Sequence, residues 1–484
     1  MKILLSILFL FPNLLVAQTP SFIRQFSGET DKESTEMIEL PNRDLLMITR
    51  ENRLATNAKM HSKIYLLNES GQLKDSLLFA DSVRSLVISK IIPTHYGYCL
   101  LGEMRENNLT YFWNAKLNAQ FSIISQQFTL TDSYGITSIN YTIIKDSEIV
   151  VIIPLSSPST GQFSYNKAKI NKNGALINYY DSVLHLALPT NIFEKKGFSG
   201  YLMLTNFGWI MTDTAFNIRN QISIKTDRST HGLINLQPTG LRKNDSTYFY
   251  AGRWGSRNGR FNRDLFFMVI DTLGQIKYFR TIEAGGDTSC TQGVFTGIDT
   301  TKNGRFIYWG GTYNFSFVGP SFSLNQAPFI LTKLDTAYNI VWQKKYGGDA
   351  YNLMFGVLAT SDGGCVMYGR RYDYNNIPKL DAYIIKVDGN GLVTSETAIP
   401  INQESITAFP NPSTGQLNFK KETPSVSSRF ELTVFDISGK LVFQKKETDL
   451  SETLDLSHLS TGNYIYQIKE GEKIKAIGKW VKTQ

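Results

Sequence analysis

The residues best suited to bind a ligand lie in three segments rich in arginine and aromatic side chains. An aromatic ring gives a flat stacking surface, and a guanidinium forms paired hydrogen bonds with carboxylate, sulfate or phosphate groups. The candidate ligand-binding residues are Arg253, Trp254, Arg257, Arg260, Phe261, Arg263, Tyr313, Phe315, Arg370, Arg371, Tyr372 and Tyr374. Exposed loops that carry both residue types predict a binding surface. The alternative is that the aromatics pack between sheets and the arginines are solvated loop charges.

Catalytic chemistry has no comparable signal. None of the five histidines lies in a His-Glu-x-x-His motif, and no two have the i, i+4 spacing of a helical metal pair. The sequence has no Gly-x-Ser-x-Gly elbow, phosphate-binding loop or dinucleotide fingerprint. We therefore expect no metal and no cofactor, and we favour a binding protein over an enzyme. A pair of catalytic carboxylates can come from two separate repeats, and such a pair leaves no motif in the sequence. A glycoside hydrolase or polysaccharide lyase therefore remains the alternative.

The composition predicts an all-β protein with more than one folding unit. The 484 residues are too many for a single core, and 12% aromatic with only 19% charged residues is typical of sheets. No stretch repeats apolar residues at helical spacing. The net charge of +8 comes from scattered lysines and arginines, so we expect no nucleic-acid partner.

A repeat of short strands positions the candidate residues. Its clearest copy has strands A to D at Asn352–Thr360, Cys365–Arg371, Asp381–Asp388 and Leu392–Ala398, separated by glycine-rich turns. The C strands of seven such copies start roughly 45 to 64 residues apart, which is the spacing of a four-stranded propeller blade. The sequence therefore predicts a β-propeller of seven four-stranded blades. The loops between strands B and C then share one face, and the candidate residues lie in or next to them.

The ends of the propeller predict how its ring closes. The seven copies of strands A, B and C need seven D strands, but the chain has eight candidate segments for them. One candidate, Phe22–Ser27, aligns with a segment that comes directly before an A strand, which is where a D strand belongs. A ring left open would expose a sheet edge. We therefore expect Phe22–Ser27 to be the outer strand of the last blade, paired with Asp381–Asp388, and Leu392–Ala398 to be linker or at most an added edge strand.

Four segments divide the chain. Residues 1–17 have the positive start, apolar centre and small final residue of a signal peptide. Residues 18–398 form the predicted propeller, 399–405 a polar linker, and 406–484 a small antiparallel β-sandwich. Apart from the leader, no apolar run approaches the length of a transmembrane helix, so we expect no transmembrane segment.

Two resemblances to known families follow from these motifs. The repeats, best seen at Tyr346–Gly348, Asp362–Gly364 and Tyr383–Gly391, resemble exported β-propellers of the Bacteroidetes type. The tail resembles the type A C-terminal sorting domain of type IX secretion substrates. The residues of the tail that match this sorting signal are Pro410, Asn411, Pro412, Gly415, Asp436, Gly439, Gly462, Tyr464, Gly478 and Lys479.

The resemblance of the tail implies a route and a destination. It implies export through the periplasm, contact with the type IX secretion machinery, and release or display at the outer-membrane surface. Combined with the loops, it predicts a secreted or cell-surface binding protein whose ligand is a glycan or an anionic polymer. A structural or adhesive surface component is the third alternative. We expect a monomer.

Overall fold

The computed structural model shows an all-β chain, with no helix among the residues that it describes. It divides into two compact units, Met1–Glu396 and Thr397–Gln484. The described residues are 20–483 except for 29, 53–58, 132–134, 137–138, 145–147, 157–162, 185–188, 196, 198, 206–207, 225–230, 233–238, 257–262, 283–289, 316–325, 374–379, 394–405, 422–429, 437–439, 449–451 and 471–472. The predicted signal peptide and linker lie outside them.

The first unit consists of seven antiparallel sheets. The strands of the first half of the ring are β1 (Phe22–Phe26), β2 (Lys32–Glu39), β3 (Leu45–Glu51), β4 (His61–Leu67), β5 (Leu73–Phe79), β6 (Ser85–Thr94), β7 (Gly97–Glu106), β8 (Leu109–Leu117), β9 (Ile123–Leu130), β10 (Gly135–Ile136), β11 (Asn140–Ile144), β12 (Glu148–Ser156), β13 (Phe163–Ile170) and β14 (Leu176–Leu184). Those of the second half are β15 (Pro189–Glu194), β16 (Gly200–Thr205), β17 (Gly208–Asp213), β18 (Ile218–Ser223), β19 (His231–Gly232), β20 (Thr239–Arg242), β21 (Thr247–Ser256), β22 (Arg263–Asp271), β23 (Ile276–Ile282), β24 (Thr291–Gln292), β25 (Ile298–Thr300), β26 (Ile307–Thr312), β27 (Phe329–Leu334), β28 (Ile340–Tyr346), β29 (Tyr351–Ala359), β30 (Cys365–Tyr372) and β31 (Leu380–Val387).

Each sheet is one blade, and in the first six blades the strands follow chain order from the inner to the outer edge. The first blade is β2-β3-β4-β5 and the second β6-β7-β8-β9. In the third, fifth and sixth blades the innermost strand is split into two short strands that pair with the same neighbour. In the fifth and sixth blades these fragments are only two to four residues long, which is too short to show the alternation that marks a strand in a sequence.

Seven hydrophobic clusters close the blades into a ring. Each cluster draws side chains from two consecutive blades, as Ile48 of the first and Trp113 of the second do. The last cluster joins Phe355 and Tyr368 of the seventh blade to Met37 and Tyr65 of the first. The predicted seven-bladed β-propeller is confirmed.

The ring closes as predicted, through its first strand. Strand β1 is the outer strand of the seventh blade and pairs antiparallel with β31, from Phe22 opposite Lys386 to Phe26 opposite Ala382. Phe22 packs against Gly71, where the backbone has φ +77° and a Cβ atom would lie 2.6 Å from the ring. Of the predicted linker Leu392–Ala398, the two described residues, Leu392 and Val393, belong to no strand.

Aspartates cap the turns between strands C and D in the fifth, sixth and seventh blades. Asp388 accepts the backbone N–H groups of Asn390 and Leu392 at 2.9 and 2.7 Å. Asp271 and Asp335 accept equivalent pairs in the fifth and sixth blades. Each of these carboxylates accepts backbone N–H groups of its own turn, which agrees with a turn and not with a calcium loop.

The second unit is a sandwich of two small sheets with one core. Its strands are β32 (Ile406–Phe409), β33 (Gln416–Lys421), β34 (Phe430–Asp436), β35 (Leu441–Thr448), β36 (Leu454–Asp455), β37 (Gly462–Glu470) and β38 (Lys473–Lys482). The sheet orders are β32-β33-β36 and β35-β34-β37-β38. Leu417 of the first sheet and Leu432 and Trp480 of the second share the core.

Candidate functional site

The innermost strands of all seven blades line a cavity of about 220 Å³ at the centre of the propeller. A second, smaller cavity adjoins it toward the B–C face, and the two share Lys90, Asn140 and Phe295. Each of the first six blades contributes a polar residue to the larger cavity, and the seventh contributes Val357 and Tyr368. The six polar residues are Glu36, Lys90, Asn140, Asn191, Thr239 and Asp299. The cavity is therefore polar and large enough to hold several water molecules or part of a ligand.

Glu36 and Lys90 form an ion pair across the first two blades. Lys90 Nζ donates to Glu36 Oε2 at 2.6 Å, and the exposed fractions of the two side chains are only 12% and 10%. Burial raises the pKa of Glu36 above its ordinary value, and Lys90 partly opposes this effect. The pair puts little net charge into the cavity.

Asp299 of the sixth blade supplies a second carboxylate to the larger cavity. Its two oxygens accept the backbone N–H groups of Thr300 and Ala359, each at 2.8 Å. Burial outweighs these two hydrogen bonds and raises the pKa of Asp299 to about 6. The carboxyl thus changes protonation state in mildly acidic solution.

Asn140 is one polar group of the two cavities that the described residues leave available. Its side chain lines both cavities and has no hydrogen-bond partner among the described residues. The other polar groups are held in place: Asn191 Oδ1 accepts the Gly240 N–H at 2.8 Å, and Thr239 Oγ1 accepts the Gly297 N–H at 3.1 Å. Because Asn140 carries two donors and one acceptor oxygen, it can bind a hydroxyl group in either direction.

Phe295 narrows the channel. It lies in the segment between β24 and β25, which follows β29 of the seventh blade in parallel: the N–H groups of Val294 and Phe295 donate to the carbonyls of Met354 and Phe355. The Phe295 and Phe355 rings meet edge to face at 5.2 Å. An aromatic side chain therefore stands beside Asn140 where the two cavities join.

At the B–C end, the channel charges are paired. Glu33, fully buried, accepts a hydrogen bond from Arg50 Nη2 at 2.6 Å and another from Arg370 Nη1. Glu103, which lines the smaller cavity, accepts from Arg105 Nε at 2.7 Å. Arg50, Arg370 and Arg105 thus each face a carboxylate.

The predicted ligand-binding residues of the seventh blade lie together beside this network. Arg371 donates to both carboxylate oxygens of Asp349, at 2.6 and 2.8 Å, which lowers the pKa of Asp349. Tyr372 follows at the end of β30 and is half-buried. Phe315 joins this group, with its ring 6.2 Å from that of Tyr351 on β29.

The remaining candidates are placed apart from that group. Tyr313 has the Lys345 ammonium 3.2 Å from its ring centre. Arg253 is buried on β21, and Trp254 and Arg263 lie on the paired strands β21 and β22. Arg257, Arg260, Phe261 and Tyr374 lie outside the described residues. Ligand binding by this set stays a prediction.

Reasoning from the sequence missed the channel residues altogether. Glu36, Lys90, Asn140 and Asn191 come from four different blades, and single polar residues in inner strands look like ordinary alternation. Alignment of the A strands across the copies is the signal that would have revealed them, but three of those strands are split.

The predicted sorting residues of the tail meet at its last strand. Asn411 Oδ1 accepts the Val481 N–H at 2.9 Å, and the hydroxyl of Ser413 accepts the Trp480 Nε1–H at 2.9 Å. Gly415 has φ +126°, and a Cβ atom there would lie 2.5 Å from Ser457 Cα. The segment that holds Pro410 and Pro412 is thereby fixed to β38.

The other sorting residues support the same small fold. Tyr464 donates its hydroxyl to Ser460 O at 2.6 Å and packs on Trp480 at 5.2 Å. Gly478 lies under the Tyr466 ring, Asp436 accepts the Lys440 N–H, and Gly462 begins β37. Lys479 lies on β38, while Gly439 lies outside the described residues.

Comparison with known proteins identifies the tail. Residues 407–483 match the secretion system C-terminal sorting domain. The protein is thus an exported β-propeller, and its tail belongs to the sorting-domain family of type IX secretion, which directs proteins to the cell surface or the medium. No curated protein sequence matches the chain. The described residues include no helix long and apolar enough to cross a membrane.

Solved structures similar to the chain are propellers. The WD40 domain of Neurospora crassa Pan2 is 10% identical, with 75% of this chain and 91% of that domain covered at a TM-score of 0.41. The propeller domain of the Trilobed protease from Pyrococcus furiosus is 9% identical, with 77% and 98% covered, also at 0.41. The arabinofuranosidase of Fusarium graminearum is 8% identical, with 76% and 97% covered, at 0.40. These identities and TM-scores are too low to assign any activity to this protein. The assignment of the fold is based on its own seven sheets.

Proposed function

We propose that this protein is an exported binding protein that holds the end of a neutral glycan in its central channel. The observation that carries the proposal is Asn140, a channel amide without a hydrogen-bond partner in the described part of the chain, at the junction of two polar cavities. An unpaired amide beside the Phe295 ring offers hydrogen bonds to hydroxyl groups and an apolar surface to a sugar ring.

The charges favour a neutral glycan over the anionic polymer. Lys90 is paired with Glu36, Arg50 and Arg370 with Glu33, and Arg371 with Asp349. An anionic ligand would have to compete with these carboxylates for the same cations. A neutral saccharide makes its hydrogen bonds without breaking an ion pair.

The test is binding of the mature full-length chain to a panel of neutral oligosaccharides, followed by calorimetry with those that bind. Asn140→Ala should weaken binding about ten-fold or more, because the hydroxyl that it binds is left unpaired in a buried site. Asn220→Ala, on an exposed outer strand, is the matched control and should bind as the wild type does. Equal binding by both variants, or no binding of any neutral saccharide, would refute the proposal.

A second candidate function is glycoside hydrolysis, favoured by the two carboxyls in one cavity. Glu36 and Asp299 both have raised pKa values, and glycosidases use one protonated and one ionised carboxyl. Against this, Glu36 is bound to Lys90 and Asp299 to two backbone N–H groups. Release of reducing sugar from a bound glycan, lost in both Glu36→Gln and Asp299→Asn, would establish hydrolysis in place of simple binding.

A further inference from the structure

The outer rim of the first two blades is unusually apolar. Nine large hydrophobic side chains between residues 73 and 130 are exposed, whereas any two neighbouring blades beyond residue 130 expose at most four among the described residues. The nine are Leu73, Leu77, Leu78, Val83, Leu109, Ile123, Ile124, Phe128 and Leu130. Clusters of this kind are rare on surfaces without a partner.

Strand β9, the outer strand of the second blade, lies within this rim and carries no charged residue. Its sequence from Ile123 to Leu130 is IISQQFTL, with Ile124 54% and Leu130 48% exposed. Every other outer strand carries at least one charged residue, such as Lys344 and Lys345 on β28 or Arg219 on β18. Charges on edge strands prevent pairing with other chains. The second blade lacks this protection.

The free edge of β9 presents backbone hydrogen-bonding groups. Thr131, which follows the strand, donates its N–H to the Thr110 carbonyl at 2.8 Å, toward β8. Because alternate residues of a strand direct these groups to opposite sides, the N–H and C=O of Gln126, Phe128 and Leu130 face away from β8. No other strand among the described residues pairs with that edge.

We propose that β9 pairs antiparallel with β9 of a second copy of this chain, about a two-fold axis at Gln126. This register puts Ile124 opposite Phe128 of the other copy, a β-branched and aromatic pair that stabilises sheets. It brings no like charges together, since the chain has no charged residue from Leu117 to Thr131. The same operation on β28 would bring Lys344 and Lys345 close to their own copies. The second copy is the occupant that fits because the strand is complementary to itself.

The first test is sedimentation velocity on the mature full-length chain. The wild type should show a concentration-dependent dimer, and Phe128→Lys should weaken it at least about ten-fold by replacing the aromatic ring opposite Ile124 of the other copy with a charge. Val341→Lys places the same charge on an equally exposed outer strand and should leave the dimer unchanged. A wild type that stays monomeric throughout the micromolar range, or equal effects of both substitutions, would overturn the proposal.

The second test locates the contact. Hydrogen-bonded antiparallel pairs have Cα atoms about 5.5 Å apart, within the disulfide range of about 4.4 to 6.8 Å. Gln126→Cys should therefore form a covalent dimer under mild oxidation, because the native thiols are buried. Gln221→Cys, at an exposed position of β18, should not. A dimer that Gln126→Cys fails to cross-link would place the interface elsewhere and overturn the pairing of β9.

Discussion

Phe22 of the first strand lies opposite Lys386 of the last propeller strand, so the two ends of the ring share one sheet. The Phe22 ring is 2% exposed, in the core that joins the seventh blade to the first. Gln25 of the same strand donates to Asp381 at 2.5 Å. The closure is thus non-covalent and depends on a few side chains of β1.

Loss of the Phe22 side chain should weaken the contact between the seventh and first blades. We expect Phe22→Ala to lower the free energy of unfolding of the propeller by about 3 to 5 kcal/mol, the cost of a large cavity in a core. Phe279→Ala, on the exposed outer strand of the fifth blade, should cost less than about 1 kcal/mol. Urea unfolding followed by tryptophan fluorescence measures both. Similar losses would mean that β1 is not part of the core.

The ion network at the same contact gives a second prediction. Glu33→Ala would leave Arg50 and Arg370 buried without their shared carboxylate, and we expect a loss of about 3 to 5 kcal/mol. Glu69→Ala removes an exposed partner 3.8 Å from Arg43 and should cost less than about 1 kcal/mol. The same unfolding experiment applies. A small effect of Glu33→Ala would show that water reaches the two arginines.

Because the pKa of Asp299 is raised in the fold, we expect the stability of the protein to depend on pH. The folded state raises its pKa to about 6, so between about pH 4 and pH 6 the folded state binds more protons than the unfolded one, and stability falls as pH rises. The stability of the wild type relative to Asp299→Asn should therefore decrease by on the order of 3 kcal/mol from pH 4 to pH 7.

The control for this titration has the opposite sign. Hydrogen bonds from Asn339 and Ala337 lower the pKa of Asp335, so its stabilising contribution is present above the unfolded pKa and is lost as the solution becomes acidic. Thermal midpoints of the wild type, Asp299→Asn and Asp335→Asn, measured across this range and also below pH 4, separate the two effects. A flat or rising difference between the wild type and Asp299→Asn would contradict the burial of a carboxyl in the channel.

The sorting tail predicts an export defect. Deletion of Ile406–Gln484 removes the matched domain, and we expect the propeller to accumulate, folded, in the periplasm. Fractionation of cells, with protease resistance as the check on folding, measures this outcome. As a control, Lys445→Ala removes one exposed ion pair of the tail and should leave export intact. Surface display or release of the truncated chain would contradict the role of the tail.

Local chemistry explains which parts of the fold the sequence predicts well. An aspartate such as Asp388 caps a C–D turn with its own backbone neighbours, so its signal lies within five residues and repeats in several blades. The closing strand β1 was predictable because it resembles the strand before a triplet. The split inner strands, such as β24 and β25, were not, because parallel contacts with β29 fix the segment between them.

The channel site depends on distances in space that no local pattern encodes. Asn140 becomes a candidate only because Lys90 and Phe295, from the second and sixth blades, line the same cavities. Conversely, Arg371 looks like a ligand contact in the sequence, but Asp349 occupies both of its terminal nitrogens in the fold. A search of the sequence for residue types cannot show which charged side chains of different loops pair with each other.

The position of a bound saccharide tests the central claim most directly. Crystals of the mature protein soaked with the tightest-binding neutral oligosaccharide should show density in the channel, with a hydroxyl within about 3 Å of the Asn140 amide and a sugar ring against Phe295. Density confined to the rim around Arg370 and Tyr372, or to the outer blade surfaces with an empty channel, would contradict the account.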